Sequence, residues 1–412
     1  MRKKTTGSWK DIGLWYNGLT ASSRTPTPAI QQKVAQLTAG MSDPLEKMKA
    51  LAAFVQRDIR YAAIEIGIGG YRPHAAADIF TNAYGDCKDK ATLLSTMLKE
   101  IGIDSYYVLI DTDRGVVQPN FPSTNFDHAI LAIQVPDAVP GATLYAITKD
   151  PKLGRLLFFD PTNPYVPFGY VPAYLQDTYA LLATPDGGEL VSVPLLPAST
   201  NRLIRTAQLE LSSTGNLSGE VRELRWGAPA TSSRDQLLTA EPAKRGKVFE
   251  DFLGNSLTAF TLMGASVGNL EQYDQSLTLD YKFFARGYAK SAGDLLVVRP
   301  RVLGQKGSDI LSGKPRKYSI EFPDATRQDD DFEITLPAGY VVDELPQPVK
   351  AECPYGSYRS RVEISGNTLT YKRMYQINDI IVPTEKLGEV RGFFQQIASD
   401  ERSSAILRKT SP

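Results

Sequence analysis

Three residue types that together make a thiol reactive occur in order along the first half of the chain: Cys87, His128 and Asp160. A thiol attacks as its thiolate, and an ordinary pKa of about 8.5 leaves little of it ionised near neutral pH. Lowering that pKa by two units takes about 2.7 kcal/mol, whereas a helix N-terminus supplies only about 0.3–1 kcal/mol. A neighbouring imidazolium, oriented by a carboxylate, can supply the remainder. We therefore predict Cys87 as the nucleophile, His128 as the base and Asp160 as the orienting acid.

The elements predicted around these residues could bring them together. A helix is expected from about Cys87 to Ile101, capped by Asp86 and with apolar residues on the face behind the cysteine. Short apolar runs predict three strands, at Tyr106–Asp111, His128–Val135 and Leu156–Asp160. Proline at 161 biases Asp160 toward an extended conformation. Asp160 is therefore expected at the end of a strand beside that of His128.

Each of these residues also has a purely structural interpretation. A cysteine on a helix face is most often an inert core residue, a strand histidine can be a satisfied core residue, and Asp-Pro can be a turn. His74, in a Tyr-Arg-Pro-His loop, is the rival base, and we interpret it as structural or pocket-lining. The charged run at 88–90 favours a solvated first helical turn.

An acyl intermediate needs two hydrogen-bond donors at its oxyanion. The backbone N–H of Cys87 at the helix start is the natural first donor, and the sequence does not assign the second. Tyr71 and Tyr84 are candidates, and with His74 they make up the predicted pocket set. Either tyrosine could equally be a core or rim aromatic.

Composition excludes several classes of protein. The chain has 46 basic and 46 acidic residues, so it lacks the positive field that nucleic acids require, and no apolar run is long enough to span a membrane. The two cysteines are too far apart along the chain for a dense disulfide framework, and a Cys/His zinc site would have to use nearly every cysteine and histidine, so no metal or cofactor is expected. The basic start does not lead into the apolar core of an export signal.

A chain of 412 residues indicates two to four domains. The proline-rich segment 161–199 favours an extended wrap or linker, and we predict one domain over 1–195, with 1–27 leading in from an upstream domain, and a second over 196–412. Gly-Asn turns at 215–216 and 366–367 predict hairpins in the second half, and helices are expected at about 234–255 and 384–400. We interpret the acidic run 329–331 as a solvated turn. The second domain is therefore predicted to be β-rich with a terminal helix.

Three blocks of sequence resemble the active-site motifs of bacterial transglutaminase-like proteins of the papain-type cysteine protease kind, which carry flanking β-rich domains of unknown function. The blocks are Tyr84–Leu94, Phe126–Ile130 and Phe159–Thr162, and the resemblance covers roughly residues 8–175. It implies an α+β papain/transglutaminase-like core, in which the helix bearing the cysteine packs on an antiparallel sheet, followed by a mostly β domain. It also implies an exported or periplasmic protein that normally has a signal and an upstream domain.

The predicted function is cysteine-dependent acyl transfer on amide bonds of peptides or proteins through a thioester. Resolution by water would make the protein a peptidase or amidase, which we favour because nothing in the sequence selects an acceptor amine. Resolution by an amine would make it a transglutaminase-type cross-linking or deamidating enzyme. A binding or assembly module that retains the fold without turnover is the other alternative, and the natural substrate and oligomeric state stay open.

Overall fold

A computed structural model describes residues 7–63, 67–306 and 316–410 of the chain. These form two compact units, Met1–Leu196 and Pro197–Pro412, each with its own hydrophobic core. Helix and strand make up 29% and 35% of the chain, which confirms the predicted mixed α+β class. Within the described residues, no helix is long and apolar enough to cross a membrane. The assignment of a catalytic domain followed by a second domain stays a prediction.

In the described part of the first unit, the α-helices precede the six strands of the main sheet. The helices are α1 Trp9–Thr20, α2 Pro28–Leu37, α3 Pro44–Asp58, α4 Ala76–Asn82 and α5 Cys87–Glu100. The strands are β1 Arg60–Tyr61, β2 Tyr84–Gly85, β3 Ser105–Ile110, β4 His128–Val135, β5 Ile147–Asp150, β6 Gly154–Phe159, β7 Thr178–Thr184 and β8 Gly187–Val193.

Strands β3 to β8 form one antiparallel sheet in the order β5-β6-β4-β3-β7-β8, and α5 packs against β4, β3 and α3. Helix α5 begins at Cys87 as predicted, and residues along its whole length up to Leu98 are buried. Gly102, with a φ of 76°, follows its C-terminus, as is common for helices. The helix that carries the cysteine is therefore enclosed by sheet and helices.

The prediction of an extended linker over 161–199 is wrong, because β7 and β8 lie within it. Strand β7 is buried on both faces for much of its length, so it lacks the alternation that marks a half-buried strand. Pro185 lies in the turn between the two strands, where it removes no ladder hydrogen bond. The prolines of this segment therefore lie outside its two strands, and their number does not exclude strands from it.

Helix α1 packs on β7 and β8 and places Ile12 and Tyr16 in the core of the first unit. Gly13 allows this close approach, because a Cβ at that position would lie 2.1 Å from the backbone nitrogen of Gly188. Whether residues 1–27 also lead in from an upstream domain stays a prediction.

In the second unit the described residues are mostly β. The helices are α6 Ala228–Thr239, α7 Arg245–Gly254 and α8 Leu387–Asp400. The strands are β9 Arg202–Leu211, β10 Leu217–Arg225, β11 Phe260–Gly268, β12 Leu277–Ala285, β13 Lys290–Ala292, β14 Leu295–Val298, β15 Ile320–Glu321, β16 Thr326–Thr335, β17 Tyr340–Glu344, β18 Val349–Cys353, β19 Gly356–Ser365, β20 Thr368–Ile377, β21 Ile381–Val382 and β22 Ala405–Lys409.

Eight of these strands form one sheet in the order β11-β12-β10-β9-β16-β20-β19-β18, and four more form the sheet β13-β14-β22-β17. The two Gly-Asn turns join β9 to β10 and β19 to β20, as predicted. The helix expected over 234–255 is instead two helices, α6 and α7, because Pro242 lies in the break between them.

The acidic run 329–331 is not a solvated turn, because it lies inside β16. Asp330 is buried and stands directly opposite Arg205 of β9 and Arg373 of β20, and it forms ion pairs with both. Glu223 of β10 pairs with the same Arg205, at 2.7 Å. Burial raises the pKa of Glu223, but the charges of Arg205 and Arg225 lower it to about 2, so the carboxylate is held ionised.

Candidate active site

Cys87 is the first residue of α5 and is 6% exposed. The helix start is fixed by a capping box, in which the Asp89 N–H donates to Asp86 Oδ1 at 3.2 Å and the Asp86 N–H donates to Asp89 Oδ2 at 3.3 Å. Gly85 makes room for this arrangement, because a Cβ there would lie 2.5 Å from the Asp89 Cβ. The backbone on both sides of Cys87 is therefore held in place.

Sheet register brings His128 and Asp160 to the same face. Leu131 of β4 pairs with Phe159 of β6, so the next residue, Asp160, falls opposite Ile130, which shares a face with His128. His128 Nε2 lies 3.0 Å from Asp160 Oδ2. Nδ1, on the other side of the ring, is left for the Cys87 thiol, which is close enough to the imidazole to raise its pKa. The structure therefore brings the three predicted residues together.

The Asp160 carboxylate is completely buried and is surrounded by donors. Oδ1 accepts hydrogen bonds from the Thr162 N–H at 2.8 Å and the Thr162 hydroxyl at 2.7 Å, and Oδ2 accepts one from the Tyr174 hydroxyl at 3.3 Å. Burial raises the pKa of Asp160, but the hydrogen bond and charge of His128 and the bonds from Thr162 outweigh it, so the pKa is lowered. Asp160 is therefore ionised when His128 is protonated.

The imidazole of His128 is held in its charged form. Burial lowers the pKa of His128, but the hydrogen bond and charge of Asp160, followed by those of Cys87, raise it to about 10. Only 10% of the side chain is exposed, so water screens these interactions little. An imidazolium beside a sulfur atom is the arrangement that stabilises a thiolate.

Lys90 is a buried cation near the Asp160 carboxylate. Its ammonium donates to the carbonyl oxygens of Gln56 at 3.0 Å and Ile59 at 2.8 Å, at the C-terminal end of α3. Burial lowers its pKa to about 8, although the charge of Asp160 raises it. The solvated first turn expected at 88–90 is therefore wrong, because all three of its charged side chains are buried and paired.

His74 contacts Asp89. Its Nδ1 lies 3.0 Å from Asp89 Oδ2, its backbone N–H donates to Asp89 Oδ1 at 2.9 Å, and its side chain is 61% exposed. His74 and Tyr84 line a small cavity of about 90 Å³ beside the start of α5. The Arg60 guanidinium lies over the Tyr84 ring at 5.8 Å, and the Tyr71 ring packs edge-on against Trp15 at 5.5 Å. The substrate or oxyanion roles of these three residues stay predictions.

Sequence reasoning missed two residues at the site, Lys90 and Tyr174. Lys90 follows Cys87 by one turn on a helix whose apolar face is evident, but its partners are carbonyl groups that no side-chain pattern marks. Tyr174 belongs to the 3-10 turn Ala173–Leu175, which follows a run of prolines and has no periodicity. The proline two residues before Tyr174 is the nearest signal of an ordered turn there.

Comparisons with known proteins agree with this description. Residues 31–133 match the family model of the Transglutaminase-like superfamily, and residues 295–407 match that of a Domain of Unknown Function, DUF3858. The chain therefore contains a transglutaminase-like superfamily domain, as its motifs predicted, and a C-terminal β-rich DUF3858 domain. The first match includes Cys87 and His128 and ends before Asp160.

A solved structure shares the fold. It is the crystal structure of a putative protease from Parabacteroides distasonis, which is 10% identical, covers 97% of this chain and has a TM-score of 0.54. This chain spans 59% of that protein's length. A search of curated proteins found no match. Among the described residues, no group of three or more histidine, cysteine or acidic side chains is placed to hold a metal ion.

Proposed function

We propose that the protein is a cysteine-dependent acyl-transfer enzyme that hydrolyses amide bonds of peptides or proteins. The observation that carries this proposal is the placement of His128, which contacts Asp160 through Nε2 and lies close enough to the Cys87 thiol for the thiol to raise the pKa of the imidazole. The transglutaminase-like domain supports the same class of chemistry.

In the first half of the reaction, His128 takes the proton of Cys87 and the thiolate sulfur attacks the carbonyl carbon of the amide. The first N–H groups of a helix have no partner within it, so the N–H of Cys87 can donate to the oxyanion that forms. When the tetrahedral intermediate collapses, the C–N bond breaks and the imidazolium gives its proton to the leaving amine. A thioester on Cys87 and a free amine result.

In the second half, water attacks the thioester while His128 takes one of its protons. Collapse of the second intermediate breaks the C–S bond, releases a carboxylic acid and regenerates the thiolate and imidazolium. Asp160 stays ionised throughout, stabilises the imidazolium and keeps the ring in the orientation that faces the sulfur. Attack by an amine in place of water would form a new amide by the same steps.

The chemistry at Cys87 can be tested without knowing the substrate. Iodoacetamide should alkylate Cys87 at least about tenfold faster than Cys353 at pH 7, because only Cys87 has an imidazolium partner. The half-buried Cys353 is the internal control, and its pKa is raised by burial. Equal rates for the two thiols in the folded protein would refute the proposal.

The acyl acceptor is tested by mass spectrometry of peptide, isopeptide and glutamine substrates with the wild type, Cys87→Ala and Cys353→Ala. Hydrolysis adds the mass of water across the cleaved amide and should persist in Cys353→Ala and disappear in Cys87→Ala. Products that carry an added amine would show that an amine, and not water, accepts the acyl group, as in a transglutaminase. Cleavage that survives in Cys87→Ala would exclude Cys87 as the nucleophile.

A further inference from the structure

The Tyr174 hydroxyl donates to Asp160 Oδ2, the same carboxylate oxygen that His128 Nε2 contacts. The two donors therefore share one acceptor, whereas both Thr162 donors use Oδ1. A carboxylate oxygen that accepts two hydrogen bonds divides its negative charge between them, so each donor weakens the attraction felt by the other. Tyr174 is thus placed to act on His128 without touching it.

The turn that carries Tyr174 is held on both sides. Arg114 Nε donates to the Gln176 carbonyl at 2.8 Å, and the Gln176 amide donates to the Val171 carbonyl at 3.0 Å. Gln176 Oε1 in turn accepts from the Leu196 N–H at 3.0 Å. These buried and half-buried bonds fix the backbone from which the Tyr174 side chain, which is 41% exposed, reaches Asp160.

We propose that Tyr174 is a positioning residue, whose hydroxyl shares Asp160 Oδ2 with His128 and so sets how tightly the carboxylate holds the imidazole beside Cys87. This role depends on the thiol chemistry proposed above and adds a residue to it. Burial and the charge of Asp160 raise the pKa of the Tyr174 hydroxyl, so it stays a donor across the pH range in which the imidazole titrates.

The other titratable groups around this pair come from several elements. Cys87 and Lys90 face it from α5, and the Tyr61 hydroxyl of β1 lies close enough to Tyr174 to raise the pKa of that hydroxyl. Burial lowers the pKa of Lys90 to about 8, so the charge of Lys90 changes within the pH range of a titration. A Tyr174 substitution leaves all three groups in place, so a change in His128 titration can be assigned to the lost donor.

Tyr174→Phe removes the hydroxyl and keeps the aromatic ring. The chain has two histidines, so the titration of His128 can be followed by NMR and assigned with a His128→Gln sample. We expect the titration midpoint of His128 to rise by roughly 0.3–1 pH unit, because Oδ2 then interacts with the imidazole alone. The pH at which alkylation of Cys87 reaches half its maximal rate should fall, because the more firmly held imidazolium stabilises the thiolate.

Two variants control the measurement. Thr162→Val removes a hydroxyl from Oδ1, the oxygen that His128 does not contact, and should move the His128 midpoint less than Tyr174→Phe does. Tyr179→Phe removes an exposed phenol five residues further along the chain and should leave it unchanged. An unmoved midpoint in folded Tyr174→Phe, or a shift no larger than that of Thr162→Val, would overturn the proposal.

The NMR readout needs no turnover, so it separates this role from the proposed function. If Cys87 proves no more reactive than Cys353 while Tyr174→Phe still moves the His128 midpoint, the acyl-transfer proposal fails. The proposal that Tyr174 acts on His128 through Asp160 Oδ2 then remains supported. If Cys87 is reactive and the variant loses only stability to urea, Tyr174 is a structural residue and the positioning role is refuted.

Discussion

Removing the Asp160 charge should lower the pH at which His128 loses its proton. With the pKa of His128 at about 10 and not 6.5, the folded protein favours the imidazolium by an energy on the order of 5 kcal/mol, at 1.36 kcal/mol per pH unit. Asp160 is the largest of the contributions that raise this pKa, and burial opposes it. Asp160→Asn keeps the shape of the side chain and deletes the charge, so burial and Cys87 alone would then decide the protonation state.

We expect the titration midpoint of His128 in Asp160→Asn to fall by about 1–3 pH units, the usual effect of losing an adjacent opposite charge. An imidazolium that loses its proton more easily stabilises the thiolate less, so alkylation of Cys87 at pH 7 should slow by about tenfold or more. The amide introduced by this substitution could also donate to Nε2 and turn a protonated Nδ1 toward the sulfur, which would further hinder proton transfer. A midpoint within about 0.5 pH unit of the wild type would refute this account of the site.

The same interaction predicts how stability varies with pH. A raised histidine pKa contributes stability that is fully present below about pH 6.5 and is lost as the pH rises toward about 10. The lowered pKa of Asp160 contributes stability that is lost as the pH falls through that pKa. In a Cys87→Ala background, which removes the thiol, the free energy of unfolding lost on Asp160→Asn should therefore be greatest near pH 5 and shrink toward pH 10.

Two further predictions concern packing. Lys90→Met should lower the free energy of unfolding in urea by about 2–4 kcal/mol, because two buried carbonyl groups lose their donor. Lys99→Met, in the exposed last turn of the same helix, should change it by less than about 0.5 kcal/mol. Gly13→Ala should destabilise the protein by about 1–3 kcal/mol or more, because its Cβ meets backbone of β8. Gly18→Ala in the same helix, where a Cβ meets nothing within 4 Å, should be neutral or stabilising by up to about 1 kcal/mol. Equal changes in the free energy of unfolding for the two lysine variants, or for the two glycine variants, would contradict these packing arguments.

The sequence predicted well those elements whose signals are local. Helix α5 has its cap, its apolar face and its terminal glycine close together along the chain, and β4 begins at His128 as expected. The contact between His128 and Asp160 follows from strand pairing, and their order along the chain was sufficient to suggest it. Their catalytic roles stay predictions, since geometry alone does not demonstrate turnover.

What the sequence did not predict depends on partners that are distant along the chain. Lys90 was predicted to be solvated because its acceptors are backbone carbonyls of another helix, and Tyr174 was not predicted as a site residue because it meets Asp160 only in the folded protein. Strand β7 was hidden because burial on both faces erases the alternation that identifies a strand. In each case tertiary packing supplied information that no window of neighbouring residues contains.

The three consecutive acids of β16 have a consequence for how the second unit reaches its fold. If β16 slipped by one residue along its neighbours, another aspartate would replace Asp330 opposite Arg205, so the ion pairs could form again. Phe332 and Ile334, both fully buried, would instead exchange faces with Glu333 and the threonine that follows, forfeiting about 1.5–3 kcal/mol for each apolar side chain. A slip also loses the ion pair of Asp331 with Lys372 or those of Asp329 with Arg202 and Arg327, but these groups are partly exposed, and such pairs contribute little. The apolar half of the strand therefore supplies most of the free-energy difference between the native pairing and the slipped one.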